Sequence, residues 1–271
     1  MFEDKKIAVL GAGKLGEAII TGLIDTGLVK KSQFIATAAH NERLEQLQTR
    51  LGVETTLSNG EAVRKSAIVL LCVKPQTVQE VLRQVSDDLT SQHLLISVAA
   101  SVTTRYIEDL IPQAVPVIRV MPNTPCLIKK GMSAIAVGKH ANATHVRQAQ
   151  KIFDAIGRSL IVDEKHMDAV TGLSASGPAF VYIIIESFVD AGVKVGLPRE
   201  TATQLAAQMV LGASSMVLET GEHPAKLKDI VTTPAGCTID GILELEEGGL
   251  RVTLIKAVVR ATQRARELVN G

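Results

Sequence analysis

The stretch Gly11-Ala-Gly13-Lys-Leu-Gly16 constrains this chain more than any other. It follows the short apolar run Ile7-Ala-Val-Leu10 and opens the helix-patterned segment Glu17-Ala-Ile-Ile-Thr-Gly-Leu-Ile24. Glycines at this spacing between a strand and a helix have separate purposes. The first turns the chain tightly, the second leaves room for a pyrophosphate against backbone, and the third lets helix and sheet approach closely. The free N–H groups of the helix start then face the phosphates. Leu10, Gly11, Ala12, Gly13, Lys14, Leu15 and Gly16 are therefore candidate nucleotide contacts.

The pattern that follows agrees. Short β-branched and aliphatic runs, Lys6 to Leu10, Gln33 to Thr37, Ala67 to Val73 and His93 to Ala99, are each followed by a longer helical pattern. The run Ala67 to Val73 is apolar without alternation, as a strand covered on both faces would be. Further strands are expected at Val115 to Val120, Met132 to Val137 and Ser159 to Val162, two of them too close together for a helical crossover. The far edge of a mostly parallel, doubly wound α/β sheet should therefore be mixed. After Asp163 the texture changes, and Lys165 to Val195, Arg199 to Thr220 and Arg251 to Val269 read as long helices with no strand among them. Residues 1–163 are expected to form a Rossmann-like dinucleotide-binding domain and residues 164–271 an all-helical dimerisation and substrate-binding domain. A helical half of roughly 100 residues is marginal alone, so burial against a second copy is expected.

Composition excludes several classes. Apolar residues make up 46% of the 271, too many for a disordered chain. Lys plus Arg is 29 and Asp plus Glu is 28, without the basic excess that a nucleic-acid partner calls for. Cys72, Cys126 and Cys237 are scattered, with no CxxC spacing, so neither a disulfide framework nor a metal site is expected, and a reducing cytoplasm fits. The first residues lack the pattern of a signal peptide. The longest apolar run, Pro178 to Ile185, is short of the roughly 20 residues that a membrane span needs.

Other segments carry candidate chemistry. The second strand ends at Thr37 and Ala38, with no acid where an NAD site would hold the ribose 2′-OH. His40, Asn41 and Arg43 follow as donors suited to a 2′-phosphate, which points to NADPH over NADH, although Asn41 also reads as a helix cap. Cys72-Val73-Lys74-Pro75 stands where a strand gives way to a helix, at the carboxyl end of the sheet, where such folds bind ligands. Ala99 and Ala100 are small enough for a nicotinamide ring to lie against backbone. In Met121-Pro-Asn123-Thr124-Pro125 two prolines hold the chain extended, and Asn123 and Thr124 alone can donate and accept. Leu173-Ser-Ala-Ser-Gly-Pro178 places small residues inside an apolar helix, for tight packing or for a ligand. Thr232 to Thr238 precede a helix, either as a carboxylate site or as a plain cap.

Together these segments resemble the pyrroline-5-carboxylate reductase family. The matching pieces are Leu10 to Leu15, Val73-Lys-Pro75, Met121 to Pro125, Leu173 to Pro178 and Lys228-Asp-Ile-Val-Thr-Thr-Pro-Ala-Gly-Cys-Thr-Ile239, the last being the family's most distinctive signature. The resemblance implies a helical domain that interlocks two subunits, and an active site with cofactor from one chain and the Thr232–Thr238 loop from the other. It implies that Thr233, Gly236, Cys237 and Thr238 hold the substrate carboxylate and ring nitrogen, with Met121, Asn123 and Pro178 beside them. It further implies nucleotide contacts at Asn59, Cys72, Val73, Lys74, Pro75, Ala99 and Ala100. Ala235-Gly236-Cys237 departs from the two glycines and small residue of many relatives, a change that spares the backbone donors. The expected reaction is NADP-dependent reduction of 1-pyrroline-5-carboxylate to L-proline, with NADH as the lesser donor, by a homodimer or an assembly of dimers.

The residue inventory is compatible with that reaction. Related hydroxyacid dehydrogenases carry a proton-donating Lys on the first long helix, and Pro178 to Ile185 offers none. A cyclic imine that arrives protonated needs positioning rather than a strong acid. Thr238 is then a positioning group, since an unactivated hydroxyl is too weak an acid at neutral pH. A different NADP-dependent oxidoreductase and a non-catalytic nucleotide-sensing dimer are the competing readings.

Overall fold

The computed structural model describes residue 2 and residues 5–267. Eight strands form one sheet: β1 (Ile7–Leu10), β2 (Phe34–Thr37), β3 (Glu54–Thr56), β4 (Ile68–Leu71), β5 (Leu94–Ser97), β6 (Val117–Met121), β7 (Gly131–Val137) and β8 (Gly157–Ile161). Their order is β3-β2-β1-β4-β5-β6-β7-β8. β3 to β6 by way of β1 are parallel, β7 runs antiparallel to β6, and β8 is parallel to β7. The mixed far edge is as expected. The strand order reverses between β1 and β4, which opens a crevice at their carboxyl ends.

The central strands read Ile-Ala-Val-Leu, Ile-Val-Leu-Leu and Leu-Leu-Ile-Ser, and every residue in them is buried. Successive side chains point to opposite faces. Ile7, Val9, Ile68 and Leu70 pack on one side with Ile19, Ile20 and Leu23 of the helix Lys14–Asp25. Ala8, Leu10, Val69 and Leu71 pack on the other with Val78, Leu82 and Val85 of the helix Val78–Val85. Each of these Val, Leu and Ile side chains contributes about 1.5–3 kcal/mol by leaving water. β3, Glu-Thr-Thr, was not expected: it is an edge strand of half-buried polar residues, with no apolar period to announce it.

From Glu164 onward every described element is helical. The long helix expected over Lys165 to Val195 is interrupted. A 3₁₀ turn at Glu164–His166 leads to α-helix at Met167–Val170, a π turn at Thr171–Ala175, and α-helix again at Gly177–Lys194. By length and composition this whole stretch, Glu164–Lys194, is apolar enough to cross a membrane, more than the Pro178–Ile185 run alone implied. Internal contacts divide the chain into Met1–Ala175 with Ala261–Gly271, and Ser176–Arg260.

The second unit is thinly cored. Val189, Ala202 and Ala206 are its buried apolar cluster, where Gly192 lets the helices Gly177–Lys194 and Arg199–Thr220 meet closely: a Cβ there would stand 2.9 Å from that of Ala202. Tyr182, Ile183, Leu205, Leu211, Leu218 and Leu243 are each more than half exposed. An apolar groove of about 400 Å³ runs between Phe180, Ile184, Phe188, Leu250 and Leu254.

Candidate active site

The glycine-rich turn is built from both sides. Gly11 sits at φ +77°, in the left-handed region that favours glycine, and a Cβ there would strike the Val73 side chain. Gly16 is a packing glycine, its Cβ position 3.0 Å from Val9 Cγ1. Gly13 differs: the nearest atom to a Cβ there is the Gly11 carbonyl oxygen at 4.0 Å. The protein itself leaves that side of Gly13 open. Gly13 is also the N-cap of the helix Lys14–Asp25, and no side chain caps the first amides. These features, open space over a glycine and uncapped amides, fit a pyrophosphate.

Residues outside the motif fix its shape. The Gly11 N–H donates to the Thr37 hydroxyl (3.1 Å), and the Ala12 N–H to the Thr37 carbonyl (2.7 Å). The Thr37 hydroxyl in turn donates to Asn59 Oδ1 (2.7 Å), and the Asn59 amide donates to Gln84 (2.8 Å). Arg43 reaches over the turn, donating to the carbonyls of Ala12 (3.0 Å) and Gly13 (3.2 Å). Glu17 holds that guanidinium at 2.6 Å and also pairs with Arg50 at 2.7 Å. Arg43, expected as a donor to a 2′-phosphate, gives Nε and one terminal nitrogen to the turn, while its other terminal nitrogen lies 3.4 Å from Gln46. Glu17 and the bracing by Thr37 carried no signal in the motif.

Ala38, His40 and Asn41 follow β2 at its carboxyl end, with His40 and Asn41 exposed. Asn41 does not cap the helix Asn41–Leu51: His40 occupies the N-cap, and no side-chain cap bond forms. Cys72, Val73, Lys74 and Pro75 leave the carboxyl end of β4, with Lys74 and Pro75 exposed and Pro75 opening a 3₁₀ turn. Burial pushes the Cys72 thiol up to about 12, which favours its protonated form. Beyond β5, Ala99 is buried and Ala100 half-buried, and Ser101 adopts φ +62°. A serine held in that region is the kind of local strain that collects at ligand sites.

Beyond β6, Met121 is half-buried, and the Asn123 side chain is engaged at both ends. Its Oδ1 accepts from Met132 N–H (2.9 Å), and its Nδ2 donates to the Ser174 carbonyl (3.2 Å). β6 also carries Arg119, only 2% exposed, with one nitrogen 3.3 Å from Glu164. Glu164 accepts as well from the Thr104 N–H (2.8 Å) and hydroxyl (2.6 Å), while Arg119 Nε and its other terminal nitrogen find no partner.

In the second unit, Thr233, Gly236, Cys237 and Thr238 occupy one turn and the helix start that follows it. Gly236 is the N-cap of the helix Cys237–Glu247, without a side-chain cap, and its N–H closes the turn on the Thr233 carbonyl at 3.0 Å. A Cβ on Gly236 would strike the Thr233 hydroxyl. Thr238 is the second residue of the helix, so the plain-cap reading of this hydroxyl does not hold. Ala235 stands at φ +56°. The alanine keeps the backbone donors, as expected, but it also places a Cβ where glycine is favoured. Pro178 lies in the first turn of the helix Gly177–Lys194.

Comparison with known proteins is in keeping with this geometry. A family model for pyrroline-5-carboxylate reductase dimerisation matches residues 164–268, and one for NADP oxidoreductase, coenzyme F420-dependent, matches residues 6–101. The chain is 45% identical over 266 residues to a pyrroline-5-carboxylate reductase of Methanosarcina acetivorans, covering 98% of each chain. It is 43% identical to that of Glycine max, over 98% of this chain and 97% of that one. Among solved structures, a pyrroline-5-carboxylate reductase from Coxiella burnetii superposes with a TM-score of 0.92 at 34% identity, covering 98% of both chains. The pyrroline carboxylate reductase of Plasmodium falciparum with NADP bound gives 0.88 at 31% identity, over 98% of this chain and 99% of that one. With near-complete coverage at these identities, the chain belongs to the pyrroline-5-carboxylate reductase family.

Proposed function

We propose that this protein reduces 1-pyrroline-5-carboxylate to L-proline with NADPH as the preferred donor and NADH as the lesser one. The observation that carries the reading is the pair of uncapped helix starts, one behind Gly13 and one behind Gly236. The first suits a pyrophosphate and the second a substrate carboxylate. Residues 1–163 bind the nucleotide, and residues 164–271 dimerise and supply the substrate turn. The nucleotide contacts are Leu10 to Gly16, Ala38, His40, Asn41, Asn59, Cys72 to Pro75, Ala99 and Ala100.

The nicotinamide supplies the hydride when bound. The chain's own part is placement: the amides of Cys237 and Thr238 hold the carboxylate, Gly236 giving its own N–H to the Thr233 carbonyl, and the Thr238 hydroxyl meets the ring nitrogen. Met121 and Pro178 flank the ring. With no lysine on the helix Gly177–Lys194 before its last residue, proton donation falls to the imine itself, protonated on arrival. The exposed apolar helix faces are covered by a second copy, so that each site takes its nucleotide half from one subunit and its Thr238 turn from the other. The homodimer, or an assembly of such dimers, works in the cytoplasm, a compartment suited to three free thiols.

Steady-state reduction of racemic 1-pyrroline-5-carboxylate with each nicotinamide tests this directly. Turnover with kcat/KM higher for NADPH is expected. No turnover, alongside turnover of a 2-oxoacid, overturns the substrate assignment, and a several-fold preference for NADH overturns the reading of the acid-free end of β2.

A further inference from the structure

Pro178 has no N–H, so the carbonyl of Ser174, four residues back, loses the donor that an α-helix would give it. The next amide does not replace it, because Ala179 N–H bonds the Ser176 carbonyl at 3.0 Å. The missing donor comes from elsewhere in the sequence: Asn123 Nδ2 reaches the Ser174 carbonyl at 3.2 Å, while its Oδ1 takes Met132 N–H at 2.9 Å. The Ser174 carbonyl belongs to the π turn Thr171–Ala175, and such turns within helices mark functional positions. Asn123 itself follows β6 at the carboxyl end of the sheet, on the side where α/β folds bind ligands.

We propose that Asn123 is a positioning residue: its amide substitutes for the backbone N–H that Pro178 lacks, and so holds the π turn at the carboxyl end of β6. It acts through Ser174 and the start of β7 rather than on substrate, since backbone groups take both ends of its amide. This inference rests on the reaction given under Proposed function. A half-buried carbonyl stripped of its donor biases the local backbone to shift, and a catalytic geometry misplaced by a fraction of an ångström loses rate before it loses affinity.

A double-mutant cycle with Pro178→Ala tests it, each variant being compared with its own parent. In the native background Asn123→Ala should lower kcat about 100-fold, with KM for 1-pyrroline-5-carboxylate and NADPH affinity nearly unchanged. In the Pro178→Ala background the restored backbone N–H serves Ser174, and the same substitution should cost only about 10-fold, the remainder being the lost acceptor for Met132. Hydrogen exchange in peptides spanning residues 167–178 should rise with Asn123→Ala in the native background and much less in the Pro178→Ala background. Equal losses in both backgrounds overturn the proposal, as does a loss confined to KM, which would make Asn123 a substrate ligand. If Asn123→Ala folds only when combined with Pro178→Ala, the proposal is supported, and if it folds in neither background the proposal is overturned. If the wild type does not turn over 1-pyrroline-5-carboxylate, Proposed function fails, and the exchange pattern decides this inference alone.

Discussion

The two turns that precede uncapped helices are alike in design and unlike in support. Each has a glycine at the N-cap, Gly13 and Gly236, and in each no side chain caps the helix start. The first is braced by Thr37, Arg43 and Val73, and lies above strands with every residue buried. The second is closed, among the described residues, by the Thr233 carbonyl, and lies in a unit whose buried apolar cluster is Val189, Ala202 and Ala206. The Gly13 turn is therefore shaped by the fold around it, whereas the proposed role of the Thr233–Thr238 turn relies on the second copy that Proposed function invokes. The difference also reaches the cysteines, with Cys72 pushed up to about 12 by burial and Cys237 exposed.

Substitutions should separate the two regions. The largest effect is expected of Gly13→Val. The site above Gly13 is open within the protein, so the fold should persist while NADPH affinity falls at least about 100-fold, measured by fluorescence titration. Retention of wild-type affinity would make the turn structural only. Gly11→Val, by contrast, should fail to fold, because Val73 already fills the space.

Next comes Glu164→Ala, which leaves Arg119 charged, buried and unpartnered, and takes the acceptor from Thr104. A loss of about 3 kcal/mol in urea unfolding is expected, against little change for a surface pair such as Lys226–Glu222. An unchanged midpoint would show the pair to be idle.

Thr238→Ala should cost about 1.5–3 kcal/mol of transition-state stabilisation, roughly 10–100-fold in kcat/KM, with NADPH affinity preserved. Weaker NADPH binding in this variant would break the division of labour between the turns. The smallest effect is that of Ala235→Gly. Removing a Cβ at φ +56° relieves strain, offset in part by the freer unfolded chain, for a net gain of up to about 1 kcal/mol in thermal unfolding. Destabilisation would mean that the Ala235 methyl makes contacts that outweigh the strain.

What could be read in the sequence follows from which forces leave a local trace. The central strands are legible because burial on both faces demands unbroken aliphatic runs, as in Ile68-Val-Leu-Leu71. The mixed edge is legible because the short link between β6 and β7, which holds only the 3₁₀ turn Thr124–Ile128, leaves no room for a helical crossover. β3 is hidden, since Glu54-Thr-Thr56 pairs through backbone alone at an edge. The π turn is hidden inside an apolar period that runs through it, although Pro178 marks where the helix must change hands. In the site, Gly13 is legible from the motif spacing and Gly236 from the family signature, while Asn123 to Ser174 and Arg43 to Gly13 join residues 51 and 30 apart and depend on the finished fold. The strain at Ala235 escapes a reading that counts donors and not dihedral angles.

Mixed dimers of Gly13→Val and Thr238→Ala subunits test most directly whether the braced turn and the unsupported turn complete one another across two copies. Each homodimer carries a defect in both of its sites, whereas a heterodimer has one site with both defects and one with neither. Purified heterodimers, separated by two affinity tags, are expected to recover up to half of wild-type activity with 1-pyrroline-5-carboxylate. Verified heterodimers no more active than the mean of the two homodimers would contradict a site shared between subunits.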